Sequence, residues 1–306
     1  MRILIAFVAI LVVFGRSDER AVAGESTAST PLVLKLHKVR DKGSGNMESH
    51  TILAPKGWKV SGGAWWAPTA LFNIHPSQDI SVTSPDGHFV RVGPSVMATD
   101  FFPSDLGRRY GSKRPREGAV DNGVPVVYLP PTLADWRSWL QEKILPAEYP
   151  DAKRFRVHSG VVIPELTKLL HRQMEPIRRQ LDEDNRRYAA MGSGIRGFST
   201  GSVLAFEWTH EYGGKSYDAM IVLAHTVYGS DTQTGRQIWW SIGPAVTYAA
   251  PKGTLEKSLP LLMAISNSVR TTPAWAKMKA DHLRKMKQIA AKGAADRAAI
   301  WAKSNR

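Results

Sequence analysis

One stretch of the sequence, residues 219–224, is apolar at every position and reads Ala-Met-Ile-Val-Leu-Ala. Successive side chains of a β-strand point to opposite faces, so this segment presents apolar side chains on both. A strand of this kind lies centrally in a sheet that is covered on both sides. The sequence therefore predicts a sheet enclosed between two layers of packed structure.

Other segments with the composition of short strands lie before and after this one. They fall at residues 51–54, 58–66, 79–83, 88–92, 203–212, 217–227 and 237–248. Turns rich in proline and glycine, such as the Ser-Pro-Asp-Gly sequence at 84–87, separate several of them. This spacing is typical of antiparallel strands joined in a meander.

Helical patterns alternate with these strands. Thr132 and Asp135 form a capping pair at the start of residues 132–144, and Pro176 predicts a kink within residues 164–191. Further helices are expected at 255–269 and, after the N-cap Thr272 and Pro273, at 274–303. The predicted class is α+β. It combines a mainly antiparallel sheet flanked by helices, an inserted helical and loop region at 101–160, and a basic C-terminal helix.

The N-terminal 23 residues have the features of a secretory signal peptide. Arg2 precedes an apolar run over residues 3–14, which is shorter than the roughly 20 residues needed to cross a bilayer. The Ala-Val-Ala sequence at 21–23 offers a cleavage site, and an uncleaved anchor is the alternative. We expect a periplasmic or secreted protein. Its predicted parts are a signal peptide (1–23), a mobile arm with room for one edge strand (24–46), one domain (47–272) and the C-terminal helix (273–306).

Two short sequences resemble a known fold family. Residues 51–60 read Thr-Ile-Leu-Ala-Pro-Lys-Gly-Trp-Lys-Val, and residues 250–268 run from Ala-Pro-Lys-Gly into an apolar helix. They are similar to the opening and closing elements of the PsbP-like and Mog1-like superfamily, over residues 48–100 and 200–270. The resemblance implies an antiparallel sheet sandwiched by helices, used mostly for binding or assembly and without shared catalytic residues. Residues 101–160 and 273–306 depart from the pattern.

The chain is strongly basic, with a formal net charge of +14, and contains no cysteine. A basic exported protein meets anionic envelope components or acidic protein partners, whereas nucleic acid is not expected in that compartment. Cations concentrate in two places, a predicted exposed loop at 108–117 and the C-terminal helix. For that helix, docking on a partner, contact with a membrane surface and a plain solvated helix are the alternatives. The candidate binding residues are Arg108, Arg109, Lys113, Arg114, Arg116, Lys277, Arg284, Lys285 and Lys287.

Two glycine-rich motifs imitate catalytic or nucleotide-binding signatures. Residues 197–201 match G-x-S-x-G around Ser199, and residues 192–197 match G-x-G-x-x-G. Both signatures require a strand before the motif and a helix after it. Here a predicted helix precedes and a predicted strand follows, so we expect a helix C-cap and a polar loop.

No catalytic residue, metal site or cofactor is predicted. His210 and His225 share faces with apolar residues, which favours half-buried structural histidines over metal ligands. Glu207, Glu211 and Asp218 can approach one another across the Gly-Gly turn at 213–214, which leaves an acid/base hydrolase open.

Paired tryptophans are the last candidate feature. Trp65-Trp66 and Trp239-Trp240 each send one indole to each face of a strand. They are core residues if both faces are covered, and an aromatic binding surface if one face is open. The sequence thus favours an exported, non-enzymatic binding or assembly module. The alternative is an envelope polysaccharide or peptidoglycan hydrolase that uses Glu207 or Asp218.

Overall fold

The computed structural model describes residues 32–66, 76–121 and 124–304. The predicted signal peptide lies outside these residues. The first half contains β1 (Leu34–Asp41), β2 (Met47–Pro55), β3 (Lys59–Trp66), β4 (Pro76–Thr83), β5 (Phe89–Gly93), β6 (Val96–Pro103), α1 (Asp105–Arg109), β7 (Val120–Asp121) and β8 (Val124–Pro125). The second half contains α2 (Leu133–Trp139), α3 (Leu145–Glu148), β9 (Lys153–Val162), α4 (Pro164–Ala190), β10 (Arg196–Tyr212), β11 (Lys215–Thr232), β12 (Gly235–Pro251), α5 (Leu255–Asn267), β13 (Arg270–Thr271) and α6 (Pro273–Ser304).

One large sheet organises the described residues, in the order β13-β2-β1-β3-β4-β5-β12-β11-β10-β9. Neighbouring strands are antiparallel except β1 and β3, which meet in parallel at Asp41 and Ala64. The first part of β12 pairs with β6 and its later part with β5. The structure therefore has the mixed α/β composition and mostly antiparallel sheet that the sequence indicated.

The centre of the sheet is a pair of long hairpins formed by β10, β11 and β12. Gly213 and Gly214 both have positive φ, at 57° and 76°, and form the two-residue turn between β10 and β11. Two-residue turns of this kind match the twist of the flanking strands, and glycine adopts them without steric cost. The predicted central strand, residues 219–224, lies in β11 between β10 and β12.

Helices cover both faces of this sheet. On one face, α4 and α5 pack onto residues such as Ile80, Val222 and Ala250. On the other, α2 and α3, joined by a π-helical turn at Leu140–Ile144, pack onto Phe206, Leu223 and others. The predicted capping pair is present, since Thr132 Oγ1 accepts from the Asp135 backbone N–H. These two apolar layers explain why β11 needs no polar face.

Two regions form strands of the sheet that the sequence analysis did not place. The described part of the segment 24–46, predicted as an arm with room for one edge strand, contains β1, which pairs with β2 and buries Val39 and Asp41. The region 101–160, predicted as an insertion, contributes β9 to the sheet beside β10.

The predicted polar loop at 197–201 is also not a loop, because it forms the first part of β10. Helix α4 lies close above it, and a Cβ on Gly201 would come within 3.0 Å of the Leu170 side chain. The glycines of this motif thus allow the helix to approach the strand. Ser199 Oγ is buried there without a hydrogen-bond partner in the described residues.

The C-terminal helix is anchored to the domain by its first turns. The Trp275 side chain is buried, and its indole N–H donates to Asp41 Oδ2 at 3.0 Å. Trp66 donates to the same oxygen at 2.9 Å, and its ring contacts that of His282. Burial acts to raise the pKa of the Asp41 carboxyl. The hydrogen bonds that Asp41 accepts from Trp275, Trp66 and residues 43–44 outweigh burial, so the pKa is lowered. From Gln288 onward, the described side chains of α6 are mostly exposed.

Candidate functional site

The predicted cationic segment forms a folded surface element, residues 105–117, which we call the basic loop. Its first part is α1, capped by the Ser104 hydroxyl, which accepts from the Gly107 N–H at 3.0 Å. Gly107 packs directly on the turn between β11 and β12, since a Cβ there would lie 1.9 Å from the Thr234 carbonyl oxygen. A side chain would force α1 away from the sheet, so this glycine fixes the loop's position.

The second part of the basic loop is held by Arg114. Its guanidinium donates to both oxygens of Asp100, at 2.9 and 2.6 Å, and Asp100 is fully buried. The same guanidinium lies over the rings of Phe102 and Tyr128, with centroid distances of 4.3 and 3.7 Å. The hydrogen bonds that Arg114 donates to Asp100 raise the pKa of Arg114. Arg114, one of the predicted binding residues, thus holds the loop to the domain, and it supplies the cation that a buried carboxylate needs.

Three cations of the basic loop remain available. Arg109, Lys113 and Arg116 are exposed and form no ion pair within the described part of the chain. Arg108, in contrast, pairs with Asp105 and donates to the Pro103 carbonyl at 2.7 Å. Tyr110 lies among the free cations and is 78% exposed, the highest value of any large apolar side chain described.

The predicted cations of α6 are divided between pairs and free groups. Lys277 and Arg284 both contact Asp281, at 3.0 and 3.4 Å. Lys285 is exposed, and the side chain of Lys287 lies outside the described atoms. The first turns of α6 are bound to the sheet through Trp275, so these residues do not form a detachable arm.

The paired tryptophans divide as strand alternation predicts. Trp240 is fully buried and donates to the Val127 carbonyl at 2.9 Å, and Trp66 is half-buried. Trp65 and Trp239 are 38% and 40% exposed. These two exposed indoles lie on β3 and β12, which are not neighbours in the sheet, so they do not form one aromatic platform.

His225 and the carboxylates that suggested chemistry are packed or paired within the domain. His225 packs edge-on against Trp136, and burial lowers the pKa of His225 to about 4. Glu211 pairs with Arg154 at 2.8 Å, and Glu207 accepts from Ser159 at 3.2 Å. Glu207 and Asp218 do line one shallow pocket, but Asp218 already accepts from the Gly253 N–H at 2.6 Å. No group of metal-binding side chains occurs among the residues the structure describes.

Sequence reasoning missed one feature, an aromatic cleft between the β10–β11 hairpin and the segment after α3. Its residues come from four separate parts of the chain. Only the density of aromatic residues at 208–217 (Trp, His, Tyr and Tyr) gave a signal for it.

Comparison with known proteins does not assign this chain to a group. No family model matches the sequence, and no curated protein matches it. None of the helices in the described part of the chain combines the length and the hydropathy of a membrane span. The resemblance to the PsbP-like and Mog1-like superfamily therefore stays a prediction.

Proposed function

We propose that this chain is an exported, non-enzymatic binding module of the cell envelope, with a PsbP-like or Mog1-like core, and that its basic loop attaches it to anionic lipid headgroups. The observation that carries the proposal is the set of free cations, Arg109, Lys113 and Arg116, around the exposed Tyr110. Export is inferred from the predicted signal peptide at 1–23.

The order of the basic loop supports a binding role. Side chains held in place before binding lose less conformational entropy when a partner arrives. Arg114 and Gly107 supply that order, while leaving the three cations free. Tyrosine suits the boundary between water and lipid, because its ring is apolar and its hydroxyl polar.

The size of the effect can be estimated from charge. Each lysine or arginine near an anionic membrane contributes about 1 kcal/mol, so three together contribute about 3 kcal/mol, or roughly a hundredfold in affinity. Attraction between exposed charges is screened by salt. We therefore expect binding that weakens as salt is added.

The test is cosedimentation of the full chain with phosphatidylglycerol-containing vesicles, using phosphatidylcholine vesicles as reference. The triple variant Arg109→Ala, Lys113→Ala, Arg116→Ala is expected to lose most of the binding. A matched control, Arg172→Ala, Arg186→Ala, Lys257→Ala, removes the same charge from exposed positions on α4 and α5 and should retain it. Equal loss in both variants would show a nonspecific charge effect. Absence of vesicle binding by the unchanged protein would reject lipid and leave an acidic protein as the partner to test.

A further inference from the structure

The aromatic cleft shares no residue with the basic loop and has a volume of about 300 Å³. This lies at the lower end of the range for small-molecule sites, about 300 to 1,000 Å³. Its walls are formed by the turn before β5, the segment after α3, and the facing ends of β10, β11 and β12. The aromatic and histidine side chains among them are Phe89, Tyr149, Trp208, His210, Tyr212 and Tyr217.

The rings on one wall are fixed by stacking. His210 lies between Phe155 and Tyr217, with centroid distances of 5.7 and 5.4 Å and interplanar angles of 18° and 19°. Tyr212 meets Tyr217 edge-on at 6.4 Å and is 53% exposed at the hairpin. The wall is thus a rigid stack of rings that ends in one accessible tyrosine.

Two polar atoms of the lining residues lack partners in the described structure. They are Nε1 of Trp208, a residue only 2% exposed, and Nδ1 of His210. Buried polar atoms are almost always hydrogen-bonded, so an unpaired indole N–H indicates a missing acceptor. Burial lowers the pKa of His210, which favours the neutral form of its imidazole.

The charge of the lining is opposite to that of the protein as a whole. The chain carries +14, yet the charged side chains among the described residues that line the cleft are those of Glu148 and Asp151. Glu148 contacts Arg91 at 2.7 Å, while Asp151 is exposed. The cleft therefore offers an exposed acceptor at Asp151 beside the paired Glu148, and the buried, unpartnered indole N–H of Trp208 belongs to a residue that lines it.

We infer that this cleft binds a neutral saccharide. A sugar hydroxyl both donates and accepts, so one ligand class satisfies the carboxylates and the indole N–H together. The flat C–H face of a sugar ring fits against aromatic side chains such as Tyr212. An organic cation would satisfy the carboxylates but leave Trp208 unpaired, and a hydrocarbon would satisfy neither.

The test applies the full chain to a printed array of neutral bacterial envelope and plant glycans. The unchanged protein is expected to bind a subset of the glycans. Tyr212→Ala removes an exposed ring, and Asp151→Ala removes an exposed acceptor, each without disturbing the core. Each should weaken binding roughly tenfold or more. Tyr110→Ala, which removes an exposed tyrosine from the basic loop, is the matched control and should bind as before.

Three outcomes would overturn the inference. The first is that the unchanged protein binds no glycan on the array. The second is that Tyr212→Ala and Asp151→Ala both bind glycan as well as the unchanged protein does. The third is displacement of the bound glycan by benzyltrimethylammonium but not by the free saccharide, which would assign the cleft to an organic cation. The triple variant of the basic loop should bind neutral glycans normally, so failure of the lipid proposal and failure of this one can be distinguished.

Discussion

At the scale of single residues, Arg114 decides whether the basic loop is ordered. Its side chain is the cation that faces the buried Asp100 carboxylate, so its removal leaves a charge in the interior without a partner. Arg114→Ala should lower the free energy of unfolding by about 2 to 3 kcal/mol, less than for a fully buried pair because the Arg114 side chain is 34% exposed. Urea unfolding monitored by tryptophan fluorescence measures this change.

Two controls separate this mechanism from general damage to the loop. Arg116→Ala removes a neighbouring but free cation and should change stability by less than about 0.5 kcal/mol. The double variant Asp100→Ala, Arg114→Ala also removes the carboxylate that Arg114→Ala leaves unpaired. It should recover part of the stability lost in Arg114→Ala. A double variant less stable than Arg114→Ala would show that the carboxylate is not the source of the cost.

At the scale of elements, α6 consists of an anchored and an unanchored part. The first turns bury Trp275 against Asp41, whereas the described side chains from Gln288 onward are mostly exposed. A chain ending at residue 287 should therefore melt within about 2 °C of the full protein. A chain ending at residue 272 loses a buried tryptophan, worth about 3 to 5 kcal/mol, and should melt about 10 °C lower. Equal melting temperatures for the two truncated chains would contradict this division.

The elements also show what sequence patterns can and cannot predict. Local signals were sufficient where one segment carries the information, as in the apolar strand at 219–224 and the capping pair of Thr132 and Asp135. They failed at residues 197–201, because glycine and serine are weak strand formers and only pairing with β11 and packing under α4 makes them a strand. They also failed at β9, where register shifts against β10 obscure the alternation.

Contacts between distant residues were beyond sequence reasoning for a different reason. Arg114 looked like any other cation of its segment, because nothing in the sequence showed that the Asp100 carboxylate would be buried beside it. The aromatic cleft combines residues from Thr83 to Ala249, so no single window contains it. The cations of the basic loop, in contrast, were predicted as candidates from composition alone. The structure shows that Arg108 and Arg114 already form ion pairs, whereas Arg109, Lys113 and Arg116 form none in the described residues.

At the scale of the whole molecule, the free energy of unfolding should depend on pH through two buried histidines. Burial lowers the pKa of His50 and of His225 to about 4, against about 6.5 in an unfolded chain. Between these values the unfolded state takes up protons that the folded state does not, so stability falls as pH drops from about 6.5 towards 4. Between pH 7 and pH 5, each of the two histidines should lower the free energy of unfolding by about 2 kcal/mol.

His225→Phe tests this dependence, since phenylalanine preserves an aromatic ring beside Trp136 and binds no proton. Urea unfolding at pH 7 and pH 5 should show a stability loss that is about 2 kcal/mol smaller in the variant than in the unchanged protein. His158→Gln, a substitution at an exposed position on β9, is the control and should leave the pH dependence as it was. An identical loss in His225→Phe and the unchanged protein would mean that His225 is already protonated in the folded state at pH 5, and that its burial does not contribute to acid sensitivity.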